Sequence, residues 1–154
     1  MSQTDLILQR REWKRNGRRV VCAVGTFDLL HPGHIRLLEH ARDLGDILVV
    51  GVSNAATSAP PEESPVNPAA ERAEILAALA SVDYVTLYEE PTPREFIARL
   101  APDVLVRGGE MSSEHRDFLD DEAVRACGAK VVRIPLEPGF STSRLLERIK
   151  NIHA

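Results

Sequence analysis

VVCAVGTFDLLHPGH, residues 20–34, is the stretch of sequence that decides the fold. An apolar run leads into a short segment in which Pro32 and Gly33 stand between two histidines, His31 and His34. This order predicts a buried strand, a tight turn and a helix that begins near the histidines. The first turn of a helix presents free backbone N–H groups and the positive end of the helix dipole, which together attract phosphate. We therefore expect the two imidazoles to meet a phosphate group, as in nucleotide chemistry.

Apolar runs predict five strands, at 20–24, 47–52, 82–87, 104–106 and 131–134. The first two are continuously apolar, which is typical of strands covered on both faces of a parallel sheet. Segments of helical periodicity lie between the strands. We expect one α/β domain over residues 1–154, with a basic N-terminal helix at 1–19 and a core at 20–150. The predicted fold is Rossmann-like, a doubly wound five-stranded parallel sheet with helices on both faces.

Local signals predict where the helices begin and end. Two helices are predicted to end at a glycine: a helix at 33–44 before a left-handed Gly45, and a helix at 114–127 before Gly128. Three helix starts are predicted: Asn67–Pro68 for a helix to about residue 80, a Thr92–Glu95 capping box for 93–100, and Ser141 or Thr142 for the last helix. Each assignment follows from the residues that helix termini prefer.

The overall charge of the chain is −4, which gives no reason to expect a nucleic-acid partner. Basic residues nevertheless crowd the N-terminal segment, at Arg10, Arg11, Lys14, Arg15, Arg18 and Arg19. We interpret them as a solvated helix face, and a face that meets phosphate or binds a partner is the alternative.

Neither a membrane span nor a signal peptide is apparent in the sequence. Cys22 and Cys127 lack metal-ligand spacing, which favours two packed thiols in a reducing compartment. We therefore expect a cytoplasmic protein with no membrane partner.

Three segments that follow predicted strands, 25–34, 107–110 and 139–143, are expected to meet at one edge of the sheet. Ligands of doubly wound sheets bind beyond the carboxyl ends of the strands, where the strand order reverses. The predicted catalytic residues are His31, His34, Ser141 and Thr142, and the predicted binding residues are Gly25, Thr26, Phe27, Asp28, Gly33, Arg72, Arg107, Gly108, Gly109, Glu110 and Ser143.

The expected roles follow from phosphate chemistry, which depends on positioning and charge stabilisation. His31 and His34 are expected to bind phosphate oxygens of a nucleoside triphosphate at its α-phosphorus. The segment 141–143 is expected to hold the β- and γ-phosphates at a helix start, although plain capping would explain it as well. Asp28 either orders its turn or reaches a magnesium ion or a substrate hydroxyl. No third ligand has a suitable spacing beside the histidines, so no metal held by the protein is expected.

Arg107 follows a strand and precedes the glycines at 108–109, which would allow close approach of a base or sugar. We expect Arg107 to neutralise triphosphate charge, with a surface ion pair as the alternative. Arg72 stands in the first turn of its predicted helix, where a cation is disfavoured, and this suggests an anionic partner.

The segment GTFDLLHPGH resembles the signature of the HxGH nucleotidyltransferase superfamily, the cytidylyltransferase-like enzymes. Within it the chain is most similar to the adenylyltransferases that form ADP-heptose from ATP and D-glycero-D-manno-heptose 1-phosphate. The similar blocks are SPVNPAAERAEILAALASVDYV, EEPTPREFIARLAPDVLVRGGE and GFSTSRLLERI. The resemblance implies magnesium–ATP and a sugar 1-phosphate as substrates, release of pyrophosphate, and a homodimer. It also implies a separate sugar kinase upstream and a product used for lipopolysaccharide.

The chain departs from that family in three places. No lysine or arginine occurs between Arg42 and Arg72, where family members carry lysines. Arg107 and Glu110 stand where a lysine and an aspartate are usual, and Phe140 replaces a tyrosine. Two alternatives therefore stay open: a cytidylyltransferase acting on glycerol 3-phosphate or another small phosphate or phosphonate, and a catalytically weak nucleotide-binding paralogue.

Overall fold

The computed structural model describes residues 1–54, 64–108, 122–135 and 139–152. Its helices and strands are, in chain order, α1 Gln3–Arg15, β1 Val20–Gly25, α2 Pro32–Asp43, β2 Ile47–Ser53, α3 Ala69–Ala77, β3 Tyr84–Tyr88, α4 Arg94–Leu100, β4 Val104–Gly108, α5 Glu122–Ala126, β5 Lys130–Ile134 and α6 Thr142–Ile152. The strands pair in parallel and follow the order β3-β2-β1-β4-β5. The predicted doubly wound parallel sheet is confirmed.

Strand β1 lies at the point where the strand order reverses. It pairs with β2 on one side, Val21 opposite Leu48, and with β4 on the other, Val21 opposite Val104. The chain segments that leave the carboxyl ends of β1 and β4 therefore diverge and open a crevice. The histidines follow β1 directly, so the topology brings them to this crevice.

Two apolar layers cover the sheet, one on each face. One contains Leu38 and Ala41 of α2 with Leu76 of α3, and the other contains Trp13 of α1 with Phe96 of α4. The central strands are buried on both faces, as their continuous apolar sequence predicts. This packing gives the crevice a rigid floor.

Helix α1 docks through Trp13, which is buried with its ring centroid 4.9 Å from that of Tyr84. The interpretation of the basic segment as a wholly solvated face is wrong for Arg10. This side chain is buried, donates two hydrogen bonds to the carbonyl of Ala101 and lies 3.2 Å from a carboxylate oxygen of Asp103. The other five basic residues of the segment are exposed, as expected.

Two predicted helix starts need correction. Helix α3 begins at Ala69 after Pro68, and α4 begins at Arg94 after Pro93, and neither has a side-chain cap. Asn67 instead donates its side-chain amide to the carbonyl of Asp28, across the crevice. Thr92 accepts a hydrogen bond from the side chain of Arg94 instead of capping its helix.

Gly45 was expected to close α2 with a positive φ, and this is wrong. The glycines with positive φ among the described residues are Gly17, Gly128 and Gly139. A Cβ at Gly45 would lie 2.7 Å from a methyl carbon of Val21 and 2.8 Å from the carbonyl oxygen of Arg19. Close backbone packing, rather than helix capping, therefore explains this glycine. The positive φ of Gly128 fits its predicted place after a helix.

Both cysteines are free thiols in the structure. Cys22 is fully buried in β1, and burial raises the pKa of its thiol. Cys127 packs against the same apolar layer and donates to the carbonyl of Val124. In the described part of the chain, no helix has the length and apolarity to cross a membrane.

Candidate active site

The two histidines cap the helix that follows β1. His31 is the N-cap of α2, and its Nδ1 accepts the backbone N–H of Gly33 at 3.1 Å. The Nδ1 of His34 in turn accepts the backbone N–H of His31 at 3.3 Å. Together they form a capping box made of imidazoles, with Pro32 between cap and helix.

This capping assigns the proton of each neutral ring. An imidazole nitrogen that accepts an N–H must present its lone pair, so the ring proton is on the other nitrogen, Nε2. Burial lowers the pKa of His31, and burial together with the neighbouring His31 ring lowers that of His34 to about 4. Both rings are therefore neutral near pH 7 and act as Nε2–H donors. Their centroids lie 3.9 Å apart, so the two donors work side by side.

The backbone before the histidines is held in an unusual conformation. Phe27 has a φ of 49°, a left-handed value that a residue with a side chain rarely adopts. Its ring is buried, lies 5.8 Å from the ring of His34 and packs over Gly25, where a Cβ would come within 3.1 Å. Strain of this kind persists where surrounding packing enforces it, and here that packing includes the contact with the His34 ring.

Asp28 connects the turn after β1 to the segment before α3. Its two carboxylate oxygens accept the backbone N–H groups of Val66 and Asn67 at 2.7 and 2.8 Å. Both oxygens are thus engaged in ordering the loops, which is the first of the two roles the sequence left open. A further contact of Asp28 with a substrate or a magnesium ion stays a prediction.

Arg72 lies beneath these loops and is 4 % exposed. Its guanidinium donates to the carbonyls of Thr26 at 2.6 Å, Asn67 at 2.9 Å and Ser53 at 3.0 Å. These bonds join the ends of β1 and β2 to the start of α3. These three carbonyls account for a cation in the first turn of a helix, where it would otherwise be disfavoured. The predicted contact of Arg72 with an anionic ligand stays a prediction.

The segment before α6 packs against the start of α2. The Phe140 ring is stacked with that of His31 at 6.3 Å between centroids, and the guanidinium carbon of Arg36 lies 5.3 Å from the Phe140 centroid. A Cβ at Gly33 would come within 3.1 Å of the Phe140 side chain, so this glycine permits the contact. The segments that follow β1 and β5 therefore meet, as predicted.

The serines and threonine at the start of α6 are near this contact. The hydroxyl of Ser141 accepts the backbone N–H of Arg144 at 3.1 Å and so caps the helix. Thr142 is the first helical residue and Ser143 is exposed. A cavity of about 510 Å³ opens here, lined by His31, Phe140 and Ser141 among others. At least one imidazole thus faces an open cleft rather than the apolar interior.

At the end of β4, the side chain of Arg107 is buried, and its predicted role toward triphosphate charge stays a prediction. A Cβ at Gly108 would lie 3.3 Å from Leu37 of α2, so the strand end fits closely against the helix that carries the histidines. Gly109 and Glu110 lie outside the described residues, as does most of the loop at 55–66. Their predicted binding roles remain predictions.

Three side chains of this region were not singled out from sequence: Arg36, Arg144 and Arg148. Arg36 follows His34 by two residues on α2, and Arg144 and Arg148 are four residues apart on α6. That spacing places Arg144 and Arg148 on one helix face, which was the available signal.

A match to a known family model covers residues 22–148, under the description cytidylyltransferase-like. The chain belongs to the cytidylyltransferase-like family. Like the resemblance of its signature, this membership identifies it as a nucleotidyltransferase, and the histidines and the α6 start described above lie within the matched residues.

Several curated relatives of this cytidylyltransferase-like chain carry the name bifunctional protein HldE. The one from Rhodopseudomonas palustris (strain HaA2) is 42% identical over 97% of this chain and 30% of its own length. Those from Citrifermentans bemidjiense and Photorhabdus laumondii are 47% and 45% identical over 90% of this chain, and 28% and 29% of their own length. The chain therefore spans less than a third of these relatives.

A solved structure of similar fold is the lipopolysaccharide core biosynthesis protein from Thermoplasma volcanium GSS1. It has a TM-score of 0.64 and 26% identity, and the match covers 79% of this chain and 98% of that one. This likeness agrees with the α/β sheet and with the family.

Proposed function

We propose that this nucleotidyltransferase transfers AMP from magnesium–ATP to D-glycero-D-manno-heptose 1-phosphate, giving ADP-heptose and pyrophosphate. The observation that carries the proposal is the pair of neutral Nε2–H donors at the start of α2, beside an open cleft. Similarity to proteins named HldE and to a lipopolysaccharide core biosynthesis protein supports the choice of a heptose substrate.

In the proposed step, a phosphate oxygen of the sugar 1-phosphate attacks the α-phosphorus of ATP. The bond from that phosphorus to the bridging oxygen of the β-phosphate breaks, and pyrophosphate leaves with the electron pair. Negative charge grows on the oxygens around the α-phosphorus, and His31 and His34 donate hydrogen bonds to them. Because both donors are already oriented by backbone N–H groups, little reorganisation is needed during the step.

The remaining predicted residues have supporting roles. Backbone groups of residues 25–27 and of the α6 start at 141–143 bind phosphate oxygens, and Asp28 and Arg72 hold the loops that shape the acceptor side. Magnesium arrives with the triphosphate as part of the substrate. Among the residues that the structure describes, no three His, Cys, Asp or Glu side chains come together to hold a metal ion.

The resemblance to ADP-heptose-forming enzymes further suggests a cytoplasmic homodimer that receives its sugar phosphate from a sugar kinase. Neither nucleic acid nor a membrane is a proposed partner.

A second candidate is transfer of CMP from CTP to glycerol 3-phosphate or a similar small phosphate. The family's description favours it, and the absence of any lysine or arginine between Arg42 and Arg72, a departure from the pattern that the sequence resembles, leaves the acceptor open.

The test is a matrix of ATP, CTP, GTP and UTP against heptose 1-phosphate, glycerol 3-phosphate and a hexose 1-phosphate, with pyrophosphate release followed. Turnover confined to ATP with heptose 1-phosphate supports the proposal, and turnover with CTP and glycerol 3-phosphate supports the second candidate. Tight triphosphate binding with no turnover in any pair would indicate the catalytically weak paralogue. His31→Asn, assayed beside the unsubstituted chain, excludes a contaminating enzyme.

A further inference from the structure

Helix α6 has an apolar face that the described part of the chain leaves uncovered. Leu146, Ile149 and Ile152 are 36, 45 and 70 % exposed, and Leu145 beside them is only partly buried. Their spacing places these side chains on one side of the helix. An isolated helix of 11 residues is marginal in water, so a helix of this kind gains its stability by packing its apolar face against another surface.

Charged side chains border this apolar face. Lys150 follows Leu146 by one turn and Arg148 precedes Ile152 by one turn, and both cations are exposed. The acidic residue of α6, Glu147, lies on the opposite side of the helix. A surface that fits α6 therefore needs an exposed apolar centre with acidic side chains around it.

Helix α3 presents such a surface. Ile75 is 45 % exposed, and the exposed carboxylates of Glu71 and Glu74 stand one turn before it and next to it. The cation of this helix, Arg72, is buried, so the charges that α3 exposes are all acidic. The two helices also match in length, at roughly 14 Å for α3 and 17 Å for α6 at the usual rise per residue.

The two helices lie on the same side of the sheet, toward opposite edges. Helix α3 packs against β2 and β3 and shares an apolar layer with α2, whereas α6 follows β5 and meets the start of α2 where Phe140 stacks on His31. Because α2 lies between them, one copy does not bring its own α6 to its own α3. A two-fold axis through the middle of this side would place α6 of each copy on α3 of the other.

We infer that the partner of α6 is a second copy of this chain, which receives the apolar face of α6 on Ile75 and pairs its flanking cations with Glu71 and Glu74. Pairing of α6 with α6, or of α3 with α3, would oppose like charges, so the crossed arrangement is favoured. Among the described residues, none of the four charges that flank the two apolar faces forms an ion pair within its own chain.

The crossed contact reaches the candidate active site through α6. This helix forms one wall of the cavity beside His31, so the partner's α3 would hold that wall in place. The inference rests on the proposed function only in its homodimer, which it deepens by naming the surface, and it does not depend on the base or the acceptor.

Sedimentation velocity of the full chain over a range of concentrations tests this inference, and the unsubstituted chain is expected to be dimeric. Ile149→Asp places a charge within the apolar face and is expected to raise the dimer dissociation constant about tenfold or more. Leu8→Asp is the matched control, because Leu8 is also exposed but belongs to α1, which packs in the layer on the other face of the sheet. We expect it to leave the dissociation constant unchanged.

Charge reversal gives a sharper test, because it can be repaired across the interface. The variants Glu71→Lys/Glu74→Lys and Arg148→Glu/Lys150→Glu are each expected to sediment mainly as monomers, since like charges then face each other. An equimolar mixture of the two is expected to form heterodimers that native mass spectrometry identifies by mass. In the mixture, the reversed α3 of one chain meets the reversed α6 of the other, and the second contact joins unsubstituted helices.

A monomeric unsubstituted chain would overturn the inference. So would a dimer that Ile149→Asp leaves unchanged, or a mixture of the two charge-reversed chains that stays monomeric. The thermal midpoint of each variant is measured in parallel, and Ile75→Asp, on the opposing helix, replaces Ile149→Asp if the midpoint of that variant falls. A chain that dimerises through these helices but does not use heptose 1-phosphate would retain this inference and refute only the proposed acceptor.

Discussion

The Nδ1 atom of His34 accepts the backbone N–H of His31, so each histidine of the pair is oriented by the helix that it begins. Nδ1 of each ring accepts a backbone N–H, and Nε2 is the atom that we expect to donate to a ligand. The arrangement separates two functions that substitutions can test independently, because asparagine can replace the acceptor without replacing the donor at the Nε2 position.

We expect His34→Asn to lower kcat on the order of a hundredfold or more while the free energy of unfolding changes by less than about 0.5 kcal/mol. The Oδ1 atom of asparagine accepts the N–H of His31, but no group reaches the phosphate. His34→Ala loses the acceptor for the His31 N–H as well as the donor to the phosphate, so its free energy of unfolding should fall by about 1 kcal/mol beside the same loss of kcat. Steady-state kinetics and urea denaturation of the two variants decide this, and equal stability of the alanine and asparagine variants would contradict the capping role.

Stability should depend on pH through His34. Its pKa is about 4 in the folded chain against an ordinary value of 6.5, so between these pH values the unfolded chain binds a proton that the folded chain does not. The free energy of unfolding therefore falls as the pH drops from about 6.5 to about 4, and this group contributes no slope above pH 7.

The half-buried ring keeps some contact with water, so we expect a loss on the order of 1 to 2 kcal/mol from this group. Urea denaturation across the pH range, with His34→Asn as the reference, isolates the contribution. Parallel pH curves for the two proteins would show that His34 does not keep a lowered pKa.

Replacing Arg72 should destabilise the chain strongly. Arg72→Lys keeps the charge but cannot reach the carbonyls of Thr26, Asn67 and Ser53 together, so we expect a loss of about 2 to 4 kcal/mol and a higher KM for the acceptor. Chemical denaturation and acceptor titration measure both effects. Arg11→Lys, on the exposed face of α1, is the control and should change neither. Unchanged stability of Arg72→Lys would contradict the role assigned to the guanidinium.

Two glycines should respond to alanine in opposite ways. At Gly33 a Cβ would lie 2.8 Å from Cε1 of His31, so Gly33→Ala should displace the ring and reduce kcat at least tenfold. At Gly17 nothing lies within 4 Å, but φ is +68°, so Gly17→Ala should cost about 1 kcal/mol and leave kcat unchanged. Kinetics and thermal unfolding of both proteins make the comparison, and normal turnover by Gly33→Ala would argue against a fixed His31 ring.

The sequence was sufficient to predict the strands, because each is a local apolar run. It also predicted that the histidines follow the first strand and lie at the edge of the sheet where the segments after the strands meet, because the segment at 25–34 encodes their position locally. The buried arginines could not be predicted. Arg10 donates to a carbonyl 91 residues away in sequence, and Arg72 donates to one 46 residues away. No local sequence pattern predicts such pairs. The cap expected at Asn67 failed for a related reason, since Asn67 is drawn to Asp28 across the crevice. Thr92 is instead engaged by the side chain of its near neighbour Arg94.

The three carbonyls gathered by Arg72 have a mechanical consequence. Movement of the turn after β1 pulls on the same guanidinium that grips the end of β2 and the entry to α3. A displacement of any one of these three segments therefore strains the hydrogen bonds that hold the other two, so Arg72 couples their positions directly and not only through the sheet.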